Sequence, residues 1–267
     1  MNALPGKKTR FISAFAVVAT AALLVVHFVA ESSAEGEKSS SYQVVTVDNG
    51  GTVTGVVRFD SKYPKQKRVR VSVNNEACGT HKMSETFLVS PDNKGLKNVL
   101  VTIEGISAGK APKLTTAIEL IQDGCQYKPH FQVAEVGPEG VDITFVNNDG
   151  IFHNVHTTHS DTTMFNLPQF GEQPEITRKV TDTGVIGIKC DVHKWMGANI
   201  VLLENQPYYA VTDEKGQFSI DDVPPGTYTL HAWHEALGTM EKTVEIAGGA
   251  TANVEFVIKS KGSKKKK

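Results

Sequence analysis

Seven consecutive residues, Cys190-Asp-Val-His-Lys-Trp-Met196, put a thiol, an imidazole and a thioether within reach of one ion. Structural zinc sites are built from Cys and His alone, so a Cys-x-x-His-x-x-Met run fits zinc poorly. Two strong ligands with a weak axial thioether fit copper. Such a site needs a second imidazole. Asn147-Asn-Asp-Gly-Ile-Phe-His153-Asn-Val-His156 supplies one directly after the alternating run Val141-Asp-Ile-Thr-Phe-Val146. If that run is a strand, His153 leaves from a loop at the sheet end where the 190–196 loop also lies. The expected ligand set is His153, Cys190, His193 and Met196 around one copper ion cycling between Cu+ and Cu2+. Copper(I) prefers soft ligands and copper(II) tetragonal nitrogen and oxygen sites. A compromise site on a rigid frame changes oxidation state with little rearrangement, and a metal would hold Cys190 as thiolate. Taken singly, each of these residues is more simply a packing residue; the order, spacing and strand context of all four carry the reading.

The elements that must position them are strands. Gly51-Thr-Val-Thr-Gly-Val-Val-Arg-Phe59 and Lys97-Asn-Val-Leu-Val-Thr-Ile-Glu104 alternate, as do runs at 141–146, 184–189, 198–203 and 253–258. These runs are short, rich in β-branched residues and separated by Gly, Asn, Asp and Pro. No convincing 3.6-residue periodicity follows residue 31, so the expected class is all-β, built from sandwiches. With 267 residues, 40% hydrophobic and 21% charged, the chain is long enough for one large or two small domains. A net charge of -1 gives no global pointer to nucleic acid.

The N-terminus reads as targeting. Lys7, Lys8 and Arg10 precede Phe11–Ala30, which holds no Asp, Glu, Lys or Arg. A basic flank before an apolar run is the pattern of a signal peptide, and the run is also just long enough to span a bilayer. Residues 1–34 are therefore a signal peptide or a membrane anchor through 11–30, and the rest is expected in the periplasm or cell envelope, with inner-membrane anchoring as one form. Residues 35–49 read as a polar linker and 261–267 as a basic tail.

Two family resemblances follow from the residues. Thr212-Asp-Glu-Lys-Gly-Gln-Phe-Ser-Ile220 and Val223-Pro-Pro-Gly-Thr-Tyr-Thr-Leu230 resemble the carboxypeptidase regulatory-like, or transthyretin-like, sandwich modules. Residues 205–260 supply about five strands of such a fold. The usual opening strands look like Gly51–Val57 and Lys97–Ile103, which implies that 50–112 contributes to this sandwich and that 113–204 is inserted. Two unrelated flanking pieces are the alternative. Residues 113–204, through Tyr127-Lys-Pro-His-Phe-Gln-Val, Gly140–Asp149, His153-Asn-Val and Cys190-x-x-His-x-x-Met-Gly, resemble the cupredoxins, and among them the amicyanin subgroup. The combination also resembles exported bacterial proteins of the methylamine-utilization type. The likeness implies a Greek-key sandwich and a type 1 copper electron carrier, not an enzyme. Its partner would be a redox protein such as a c-type cytochrome or a quinol or dehydrogenase component, with electrons entering through the edge of His193. It also implies that Asn154 ties the two ligand loops together and tunes the sulfur, and that Phe152, Val192 and Trp195 help to exclude water. A copper-binding, storage or envelope-interaction protein without electron transfer is the alternative. One departure stands out: Ile188 lies two residues before the Cys, where many cupredoxins carry an aromatic residue.

Cys78 and Cys125 remain once Cys190 is assigned. They form a disulfide that clamps the N-terminal segment to the inserted domain, or they are two buried thiols. His156 and His159 read as surface histidines, with a second, weak metal site as the alternative, and His130 and His81 as structural or surface residues. His234 and Glu235 approach the copper loop only if the two sandwiches pack end to end. No Gly-rich phosphate loop, serine nucleophile elbow or HExxH run is present.

Overall fold

A computed structural model describes residues 42–60 and 66–259. The targeting segment, the first part of the linker and the basic tail lie outside the described residues. Among those described, no helix is long and apolar enough to cross a membrane.

The described chain is all-β, with one four-residue helix, Asn75–Cys78, and four larger sheets that make two sandwiches. The first sandwich sets Ile176–Val180, Val141–Asn147, Ala117–Gln122 and Tyr127–Lys128 against the five strands Thr162–Gln169, His153–His159, Gly184–Lys189, Gly197–Leu203 and Phe131–Glu135. Two pairs, 117–122 with 141–147 and 131–135 with 197–203, run parallel. Parallel neighbours cannot be joined by a hairpin, so the chain crosses between the sheets. The alternation of Val141–Asn147 is clean: Val141, Ile143, Phe145 and Asn147 face inward, while Asp142, Thr144 and Val146 are only partly covered. Val141, Ile143 and Phe145 join Leu120, Val155, Ile186, Ile188, Ile200 and Leu202 in one core.

The second sandwich draws on both ends of the chain. Gly51–Phe59 lies between Gln217–Val223, antiparallel, and Thr251–Ile258, parallel. Leu100–Glu104 lies between Tyr209–Val211 and Gly226–His234, which pairs with Gly238–Ile246. Val53, Val57, Val101 and Ile103 from the early strands share a core with Ile220, Leu230, Val254 and Phe256. Backbones meet closely here: a Cβ on Gly55 would fall 2.2 Å from the Val254 carbonyl oxygen, so only glycine fits.

A small hairpin, Arg68–Arg70 with His81–Met83, pairs only with itself. The Thr162–Gln169 strand, with Pro168 inside it, lies at an edge of its sheet, where a missing N–H is tolerated.

Candidate metal centre

Strand register brings the ligand loops together. His156 pairs with Lys189 in the antiparallel ladder between 153–159 and 184–189. His153 begins the first of these strands and Cys190 follows the second, so both emerge at the same sheet end. The loop then turns tightly: the Met196 N–H donates to the His193 carbonyl at 2.8 Å, and the Cys190 N–H to the Met196 carbonyl at 3.3 Å.

The donor atoms converge. His153 Nδ1 and His193 Nδ1 lie 2.8 Å apart, and Cys190 Sγ is 3.6 Å from His193 Nδ1. One ligand atom from each of the three falls within 4.8 Å of the others. His153 and His193 are fully buried, Cys190 is 1% exposed, and Met196 is buried in the same core as Cys190. Cys125, Asp149 and His153 also cluster, but the Cys125 sulfur is bonded to Cys78.

Hydrogen bonds fix the tautomers. His153 Nε2 donates to Asp149 Oδ2 at 2.8 Å and His193 Nε2 to Asn74 Oδ1 at 3.0 Å. Each neutral imidazole has one N–H and one lone pair, so both lone pairs are left on Nδ1. Burial pushes both histidines below their ordinary 6.5. For His153 the Asp149 carboxylate opposes that shift; for His193 the neighbouring His153 adds to it and takes the value down to about 4. Two neutral Nδ1 lone pairs facing each other at hydrogen-bond distance call for an electrophile between them. With a thiol 3.6 Å from one of them and Met196 buried in the same core, the donor set fits a soft transition metal.

The surroundings are tied to the same atoms. Asn154 Oδ1 accepts from the Asp191 N–H at 2.8 Å and from the Cys190 thiol at 3.4 Å, while its Nδ2 donates to Asn166 and Asp191. Tyr127 donates its hydroxyl to the Asn154 carbonyl at 2.6 Å. Asp149 accepts from the Gly124 and Cys125 N–H groups, both at 2.8 Å, as well as from His153. Cys78 and Cys125 form a disulfide. Trp195 packs against His193 and donates Nε1–H to the Cys125 carbonyl at 3.0 Å.

Three expectations need correction. His193 does not present an edge to solvent: it is fully buried, and its Nε2 is capped by Asn74. Val192 is 40% exposed, so it does not exclude water, whereas Phe152 packs on Phe170. His156 is only partly exposed and not a free surface group: it bonds Asp191 at 2.9 Å and Thr163 at 2.9 Å. Asp149 and Asn74 were missed because Asn and Asp in turn-rich runs look like ordinary turn formers.

The sandwiches meet beside this centre. His130 donates Nδ1–H to the Gly197 carbonyl at 2.9 Å and Nε2–H to Glu235 at 2.6 Å, and Asn199 donates to the other Glu235 oxygen at 2.7 Å. Phe131 stacks on Trp233. A cavity of about 300 Å³ is lined there by Met83, Glu85, His130, Trp195, Met196 and Glu235.

Residues 194–259 match the family model of the carboxypeptidase regulatory-like domain, so the chain carries such a domain. The match starts inside the Cys190–Met196 loop, yet Gly197–Leu203 bonds within the five-stranded sheet of the first sandwich. No curated protein matches the chain. Among solved structures, the chain is similar to a purple cupredoxin from Nitrosopumilus maritimus, at 19% identity over 32% of this chain and 97% of that one, with a TM-score of 0.28. It is likewise similar to a reduced Cu(I) form of an amicyanin mutant, at 20% identity over 38% and 97%, with a TM-score of 0.28.

Proposed function

We propose that this chain is an exported protein that holds one copper ion at His153, Cys190, His193 and Met196 and passes single electrons. The observation that carries the reading is the pair of Nδ1 lone pairs 2.8 Å apart, with a buried thiol 3.6 Å from one of them. Bound copper would supply one-electron exchange between Cu+ and Cu2+. The rest falls to this chain's own residues. Asp149 and Asn74 hold the imidazoles with Nδ1 inward, Asn154 fixes the 190–196 loop to the 153–159 strand, and the buried core keeps water out. The basic flank and apolar run at the N-terminus support export, and a redox protein of the c-type cytochrome or dehydrogenase kind is the partner class.

The capped His193 favours a second reading: copper held for buffering or delivery, without fast electron exchange. Electron self-exchange of the copper-loaded full chain separates the two. A carrier exchanges rapidly between its Cu+ and Cu2+ forms; a store exchanges too slowly to turn over with any partner.

A further inference from the structure

We propose that the hairpin Arg68–Arg70/His81–Met83 is a tethered lid on the metal centre, with Asn74 at its tip as the positioning residue for His193. This rests on the copper reading above. The hairpin's strands join neither sandwich's ladder, and a lone two-stranded hairpin is marginally stable in water. Its tip is nonetheless well defined. Asn75 Nδ2 donates to the carbonyls of Val71 and Gly79, and Asn74 sits in the left-handed region at φ 53, ψ 39, which asparagine tolerates well. Val71 and Cys78 join the core that contains Cys190 and Met196.

The bridge to Cys125 is the covalent link that holds this element down, beside buried Val71 and a weak hydrogen bond from Gln126 to the Met83 carbonyl. On its Cys78 side it carries Asn74, whose side chain meets His193. On its Cys125 side the backbone holds Asp149, which meets His153, and Trp195, which packs on His193. One covalent link therefore supports the Nε2 partners of both imidazoles. With the lid down, His193 has no exposed surface. Traffic of ions or reagents to the donor atoms requires the lid to lift, and the bridge sets how often it does.

The test uses the metal-free full chain, in which Cys190 is the only free thiol. Its reaction with a disulfide reagent such as DTNB reads access to the centre. The C78A/C125A variant cuts the tether and leaves Cys190 alone, and Cys190 should then react about tenfold faster or more. In Asn74→Gly, which keeps the left-handed backbone, the protected His193 Nε2–H proton should vanish from the NMR spectrum, and Asn74→Asp should restore it. Unchanged Cys190 reactivity in a folded C78A/C125A protein overturns the lid. An unchanged Nε2–H signal in Asn74→Gly overturns it even if the tether-cut variant does not fold. Because no copper is needed, fast Cys190 labelling in C78A/C125A supports the lid even if a separate, unlabelled sample of the intact chain fails to take up copper, a result that removes only the copper reading.

Discussion

Asp149 accepts a hydrogen bond from His153 Nε2 at 2.8 Å while its two oxygens also take the backbone N–H groups of Gly124 and Cys125. The carboxylate thus joins a candidate ligand to the loop that carries the disulfide. Asp149→Asn keeps the shape but has one accepting oxygen in place of two, so either the imidazole or the loop loses its partner. Copper affinity is expected to fall about 10- to 100-fold. Competition with a chromophoric chelator measures it, and an unchanged affinity would mean that His153 is held by packing alone.

The His130–Glu235 pair gives a pH dependence. Burial alone would push His130 down, but the hydrogen bond and charge of Glu235 outweigh it, helped by Glu85 and the Gly197 carbonyl, so the group ends above its ordinary 6.5. Both ring nitrogens face acceptors, as an imidazolium requires. Buried His234 is the nearby group that also feels this charge. A raised value in the folded state means the folded protein binds the proton more tightly. The stabilisation is complete below 6.5 and is lost as pH rises through the folded value. Glu235→Gln should lower the His130 midpoint in NMR titration and cost about 2 kcal/mol in urea unfolding on the acid side, with little cost on the alkaline side.

Residues 205–260 lack the central strand Gly51–Phe59, which pairs on both its edges, and lack Leu100–Glu104. Expressed alone, this fragment is expected to stay unfolded, with amide exchange near random-coil rates. A second chain supplying 50–112 should slow that exchange. A fragment that folds alone would place the early strands as an accessory layer.

Much of the centre is readable in the sequence because its chemistry is local. Cys190, His193 and Met196 lie within one short loop, and His153 follows a strand whose alternation is unmistakable. Strands with one buried face, such as Gly184–Lys189 and Thr251–Ile258, are visible for the same reason. Lys97–Val99 alternates like a strand but is not one: Asn98 has φ 62, and the Val99 N–H turns to the Thr212 hydroxyl, so the strand begins at Leu100. The lid is hidden because Arg68-Val-Arg70 and His81-Lys-Met83 are polar and short, and because Asn74 acts through a contact 119 residues away that composition does not encode. The covered His193 was illegible for the same reason: nothing in its own loop announces what lies over it.

The central claim is one copper ion gripped through the Cys190 sulfur. Copper(II) titration of the full metal-free chain, followed by visible absorption, tests it most directly. The account predicts an intense thiolate-to-copper band that saturates at one equivalent and is absent in Cys190→Ser. A colourless protein at that point, with Cys190 still free to react once unfolded, would contradict it.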